Sequence, residues 1–108
     1  MADAPTIDWE GKSGTKYRYW IYSIDTEFDA VPANYIYAKE SKPHHWRPVY
    51  IGETRDLSDR TLDSHHKEKC IEDNGATHIH VHKSSDDEDI RRDEESDLVA
   101  KWAPICNG

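Results

Sequence analysis

Within residues 76–83, ATHIHVHK, the side chains from His78 to His82 alternate polar and apolar without a break. A period of two belongs to a strand, because successive side chains leave opposite faces. His78, His80 and His82 therefore share one face, and Ile79 and Val81 the other. Three earlier runs carry the same kind of residue: YRYWIYSI (17–24), NYIYAK (34–39) and PVYIG (48–52), all rich in β-branched and aromatic side chains. The connection ESKPHHWR between the last two holds Pro43, which predicts a hairpin with a long loop.

Two segments read as helix. In RDLSDRTLDSHHKEKCIE (55–72) a helix capped by Thr54 or Asp56 would carry Leu57, Leu62 and Ile71 as a thin apolar stripe, and Asn74-Gly75 would stop it. The second runs from about 87 to 102 and ends at Ala103-Pro104, its acidic start suiting the helix dipole. Residues 1–15, with Pro5, Gly11, Gly14 and little periodicity, read as a flexible arm, and 16–108 as a single domain. The expected class is α/β of the α+β type: a small, mostly antiparallel sheet flanked by helices that follow its third and fourth strands.

Charge limits what such a domain can bind. The 108 residues carry a net charge of −8, and much of the acidic excess sits in SSDDEDIRRDEESD (84–97). Nonspecific binding to a phosphate backbone draws on Lys and Arg, so any nucleic-acid function must come from a local site. No apolar run approaches the ~18 residues of a membrane span, and the N-terminus lacks the shape of a signal peptide. Cys70 and Cys106 form no CxxC motif and no dense framework, so they read as reduced thiols of a cytoplasmic protein.

Within the second helix Glu95 precedes Leu98, Val99 and Trp102 at helical spacing, which turns its carboxylate toward the sheet. A buried carboxylate needs a partner. A divalent cation would serve, as would Arg60, and a salt bridge at the rim is the plainer alternative. Tyr37 and Tyr50, taken alone, read as strand aromatics packing a sheet. The three imidazoles of HIHVH could face Zn²⁺ or Ni²⁺. Same-face neighbours on a strand stand ~7 Å apart, however, and a solvated face is the expectation. His44-His45 and His65-His66 read as loop and helix surface. The acidic run at 86–89 lacks the glycine and spacing of a calcium loop.

Taken in order, Tyr35-Ile36-Tyr37, Tyr50-Ile51-Gly52, Arg60, Glu95 within EESDLV, and Asn107 within PICN resemble the motifs of the GIY-YIG nuclease family. The likeness covers about 34–107 and leaves the strand at 17–24 as an extra N-terminal strand. It implies a metal-dependent endonuclease that hydrolyses phosphodiester bonds in DNA, with RNA also admissible. Tyr37 would take part in activating water and Tyr50 would position it or the phosphate. Arg60 would grip the phosphate and His65 would join the catalytic group, while Glu95 would hold Mg²⁺ or Mn²⁺. Gly52 would let backbone approach the substrate, and Asn107 would lock the helix end and the site. A tyrosine's reference pKa is about 10, so a phenolate base would need the metal and Arg60 close by.

The chain departs from the pattern at three places. Tyr35 replaces the first motif's glycine, at a variable position. Glu53 follows the second motif where a basic residue is frequent, which removes a phosphate contact. Ser64 stands where a histidine is common, with His65 and His66 just beyond. The acidic charge and Glu53 support a second expectation, an accessory or interaction module of the same fold, weak or inactive as an enzyme. Such a module would need a protein partner to supply a basic DNA-binding surface.

Overall fold

The computed structural model describes residues 4–59 and 65–108. Five strands form one sheet: β1 (Thr6–Glu10), β2 (Lys16–Ser23), β3 (Ala33–Lys42), β4 (His45–Thr54) and β5 (His78–His82). Two α-helices accompany it, α1 (Glu68–Asp73) and α2 (Glu88–Trp102), with 3-10 turns at Leu57–Asp59 and Ile105–Asn107. The strand order is β1-β2-β5-β3-β4, and every neighbouring pair is antiparallel. The protein is therefore a small α+β domain. Among the described residues no helix is long and apolar enough to cross a membrane.

β5 lies in the middle of this sheet, which overturns the expectation of a solvated histidine face. Ile79 and Val81 pack on one side with Tyr35, Tyr37 and Val49. On the other side His80 is buried, its Nδ1 accepting the Trp9 Nε1–H at 3.0 Å. Burial above all, and then His78 beside it, lowers the His80 pKa from 6.5 to about 3. His82 is half-buried and ties β5 to its surroundings, Nδ1–H donating to the Arg18 carbonyl at 2.7 Å and Nε2 meeting Glu94 at 3.1 Å.

The segment read as a flexible arm contains β1. Ile7 and Trp9 alternate with polar residues, and Trp9, opposite Tyr17 in the register, is sealed into the core. That alternation spans too few residues to stand out in a polar stretch. The hairpin also differs from its expected form. β3 and β4 run on through the charged residues and turn at Pro43-His44, with His44 at φ 65°. A register shift between Tyr37 and Ala38 falls at Pro48, which has no N–H to give the ladder, and a second falls between Glu40 and Lys42 beside the turn.

The long helix expected over 55–72 is not continuous. Leu57–Asp59 is a 3-10 turn and α1 begins only at Glu68. The Asp56 carboxylate accepts the Ser58 N–H at 3.0 Å, so the expected cap closes a local turn instead. Gly75, at φ 74°, follows α1 as expected. Cys70 and Cys106 form a disulfide that joins α1 to the Ile105–Asn107 turn, which corrects the reading of reduced thiols. Sequence spacing could not show this pairing, because 36 residues separate two cysteines that only the fold brings together.

The second helix forms as expected, and Asp87 caps it by accepting the Asp89 N–H at 2.9 Å. Leu98 seats it on one face of the sheet with Ile36, Ala38, Ile51, Trp9 and Tyr19. Tyr35, Tyr37, Val49, Ile71 and Cys106 pack the opposite face.

Candidate functional site at the end of β4

The residues flagged from the sequence divide between these two faces. Tyr35 and Tyr37 on β3 and Tyr50 on β4 alternate with Ile36 and Ile51, so the three phenols leave the face opposite α2. There they surround His65, whose ring centroid lies 5.8, 5.7 and 4.9 Å from those of Tyr35, Tyr37 and Tyr50. His66 stacks on His65 at 4.6 Å and is exposed. His65 itself is buried, against the expectation of a helix-surface residue.

Hydrogen bonding fixes the His65 tautomer. Nδ1 accepts the Lys67 backbone N–H at 3.0 Å, so the proton of the neutral ring sits on Nε2. Nε2–H then donates to Tyr35 Oη at 2.7 Å. Tyr35, which the motif comparison treated as a variable position, is thus the phenol joined to the histidine. Its ring also accounts for Gly52. A Cβ there would stand 2.6 Å from the Tyr35 ring and 2.7 Å from that of Tyr50. What the glycine accommodates is two tyrosines, where the sequence reading had expected substrate. Tyr37 and Tyr35 are 0% and 1% exposed, whereas Tyr50 is half-exposed.

On the other face, α2 brings its charges to the same end of β4. Arg91 is 2% exposed. Its Nε pairs with Glu53 Oε2 at 3.1 Å, and Nη1 donates to the Ser85 and Asp86 carbonyls at 3.0 and 2.9 Å. Arg92 reaches Glu53 at 3.8 Å and Glu88 at 3.0 Å. Glu53, whose arrival seemed to cost a phosphate contact, is therefore the acceptor for a buried arginine. Helical spacing had marked the apolar stripe of Leu98, Val99 and Trp102, and a long polar residue ahead of it gave no comparable signal.

Glu95 is half-buried one helical turn from Arg91, in line with its expected inward direction. Burial first, and the Glu53 charge second, raise its pKa above the usual 4.5. The Glu53 backbone N–H and Arg92 oppose that rise. Deeper on this face Tyr19 is wholly buried, and burial together with Glu94 and Glu95 pushes its pKa well above 10. Among the described residues Tyr19 Oη and Asn34 Oδ1 have no hydrogen-bond partner. Asn34 Nδ2 donates to the Arg91 carbonyl at 3.1 Å.

Asn107 holds the strand edge that separates the two groups. Its Oδ1 accepts the Ile51 N–H and its Nδ2 donates to the Ile51 carbonyl, both at 2.8 Å. One side chain thus imitates a neighbouring strand on β4, an edge strand of the sheet. The expected locking role becomes specific: Asn107 secures Ile51 within Tyr50-Ile51-Gly52, and the Cys70–Cys106 disulfide anchors the turn that carries it.

The structure thus gathers Tyr37, Tyr50 and His65 with Tyr35 on one face, and Glu95 with Glu53 and Arg91 on the other. Both groups meet the Tyr50–Glu53 end of β4. Arg60 lies outside the described residues, as do Leu62 and Ser64. No group of three or more His, Cys, Asp or Glu that could hold a metal occurs among the described residues. No protein-family model, curated protein or solved structure matches this chain.

Proposed function

We propose that the chain is a GIY-YIG-like, metal-dependent endonuclease acting on DNA, with its site at the Tyr50–Glu53 end of β4. The observation that carries the reading is Glu95, a half-buried carboxylate pressed against a second carboxylate and the Glu53 backbone. Two carboxylates at one strand end repel when both are ionised, and a group placed against such repulsion is a functional-site candidate on physical grounds.

The donor chemistry fits Mg²⁺ or Mn²⁺. Glu95 offers hard oxygen, and a cation beside it would relieve the repulsion from Glu53. Such ions commonly use one or two carboxylates together with water and phosphate. When bound, the ion would supply positive charge against the charge that builds on the phosphate and the leaving group. Tyr50, partly exposed where Tyr37 is buried, is the expected catalytic tyrosine that a substrate would meet first. Tyr37, fully buried, acts through its neighbours as a positioning residue beside His65. His65 fixes Tyr35 Oη, and the Tyr35 ring in turn fills the space above Gly52. Arg60 keeps its expected role of countering charge on the phosphate.

The test is cleavage of supercoiled plasmid and of branched and single-stranded DNAs with Mg²⁺ or Mn²⁺, comparing wild type with Glu95→Ala and Tyr50→Phe. Cleavage by the wild type and a loss on the order of a hundredfold or more in Glu95→Ala is the expected result. A folded wild type that cuts nothing at high protein and low salt sinks the reading.

The runner-up is an accessory module of the same fold. It is favoured by the full burial of Tyr35 and Tyr37 and by the internal pairing of Glu53 with Arg91. Such a module would engage nucleic acid only with a partner that supplies basic surface. Cytoplasmic placement remains part of the proposal, but the disulfide removes the reduced-thiol argument for it.

A further inference from the structure

A recess lies away from this site. It is a pocket of about 500 Å³ between β4 and the C-terminal end of α2, lined among others by Trp46, Arg47, Val49, Trp102 and Ile105. Its aromatic walls are held from behind. Trp46 meets His78 and His80 edge-on, with centroids 4.9 and 4.7 Å apart. Trp102 stands edge-on to Trp9 at 5.2 Å, and its Nε1–H is satisfied by the Glu10 carbonyl at 2.9 Å. That indole's polar atom is thus spoken for, while the residue remains 38% exposed. It offers the pocket ring surface.

Charge selects the occupant. Asp and Glu number 22 in this chain against 14 Lys and Arg, yet none of the nine residues lining the pocket is acidic. Arg47 lines it, is exposed, and has no carboxylate partner among the described residues. Aromatic walls with one available cation and no carboxylate suit a planar base that carries a phosphate. A cationic peptide finds no carboxylate there, and an acidic peptide would use the one arginine but not the ring surface. The pocket neighbours the candidate site along β4, since Val49 lines it and Tyr50 is the next residue. From Trp46 to Tyr50 is about 13 Å along the strand, about four steps of a stacked nucleic-acid strand.

We infer that this pocket is a base-stacking subsite for unpaired nucleotides of a single-stranded DNA segment, with Trp46 and Trp102 supplying ring surface and Arg47 a phosphate contact. Its position as a substrate subsite rests on the endonuclease reading, but its binding does not depend on catalysis. The subsite would favour junctions, flaps or frayed ends over uninterrupted duplex, because a paired and stacked base cannot enter it.

The experiment is a titration of the full chain, in EDTA to silence cleavage, with a short oligothymidylate, followed through the tryptophan indole N–H resonances. Trp46 and Trp102 are expected to shift saturably, while Trp20 on β2 stays in place as an internal control. Arg47→Glu, an exposed substitution that leaves the fold alone, is expected to weaken binding about tenfold and to lower its salt dependence. Trp102 supports Trp9, so removing it risks the fold, and the resonance shifts take the place of that variant. Binding that leaves both indoles unmoved, or that ignores Arg47→Glu, overturns the inference. So does a response to an uncharged extended peptide with none to the oligonucleotide. Plasmid cleavage is scored separately: cutting with silent indoles removes the subsite and keeps the nuclease, and responsive indoles without cutting do the reverse.

Discussion

Two buried histidines stand on opposite faces of one sheet, and their surroundings differ in kind. His80 sits in the middle of β5 under Trp9, with Trp46 edge-on to it. His65 sits at the mouth of a tyrosine cluster, with a backbone N–H on Nδ1 and a phenol on Nε2. The first ring is inert packing with a polar atom that Trp9 needs. The second is part of a chain of groups that ends at half-exposed Tyr50 and exposed His66. Burial alone therefore does not tell the two rings apart; what distinguishes His65 is that its ring contacts lead to the surface.

The difference has its largest consequence in acid. The folded His80 pKa, about 3, lies below its unfolded value of 6.5. Between those two values the unfolded chain binds a proton that the folded one refuses. The His80 contribution is thus fully present above pH 6.5 and is lost progressively as pH falls toward 3. Its size is at most about 5 kcal/mol. Urea unfolding at steps from pH 7 to pH 4 should show a steep loss of stability in wild type. His80→Phe should start less stable, since Trp9 Nε1 loses its acceptor, but should show a much flatter dependence over that range. An equally steep slope in the variant would mean that other groups govern acid unfolding.

Next in size is Arg91→Ala. It would leave Glu53 half-buried without its best partner and would strand the Ser85 and Asp86 carbonyls. Removing one member of a buried pair costs roughly 3–5 kcal/mol. Removing a surface arginine such as Arg18, paired with Asp8 on the exposed face of β1 and β2, should cost about 0–1 kcal/mol. The comparison is made by denaturant midpoints at constant pH. Near-equal losses would show that Arg91 is wetter than its surroundings indicate.

Arg91 also marks the limit of what the sequence displays. Alternation exposed β2, β3, β4 and β5, and apolar spacing placed α2 and turned Glu95 inward, because these are local periods. Asn107 was legible as a locking residue through its motif, though its grip on Ile51 was not. β1 escaped because two alternating apolar residues are too few to register. The disulfide, the buried Glu53–Arg91 pair and the Tyr35–His65 bond all join residues at least 30 positions apart. None leaves a local trace. The tight Pro43-His44 turn was hidden for another reason: charged residues continue both strands where a polar stretch normally signals a loop.

Glu95 gives the smallest effect and the one that bears most directly on function. Its folded pKa is raised, so the folded state keeps the proton longer than the unfolded chain does. The favourable contribution is complete below about pH 4.5 and is lost as pH rises through the folded value. At neutral pH the ionised carboxylate therefore costs stability, and Glu95→Gln should raise the melting temperature by a few degrees at most. Partial exposure screens the charge and holds the gain below about 1 kcal/mol. At pH 4 the two proteins should melt together, because the wild-type side chain is then neutral as well. This runs opposite to His80 over the same pH range, so the two slopes separate a packing histidine from a carboxylate held against its preference. Millimolar Mg²⁺ at neutral pH then decides what the strain is for. A cation that binds the folded state raises its stability in proportion to occupancy. If Glu95 holds that ion, Mg²⁺ should lift the wild type toward the Glu95→Gln value and leave the variant unmoved. A carboxylate strained only by accident of packing would give two proteins that ignore the metal alike.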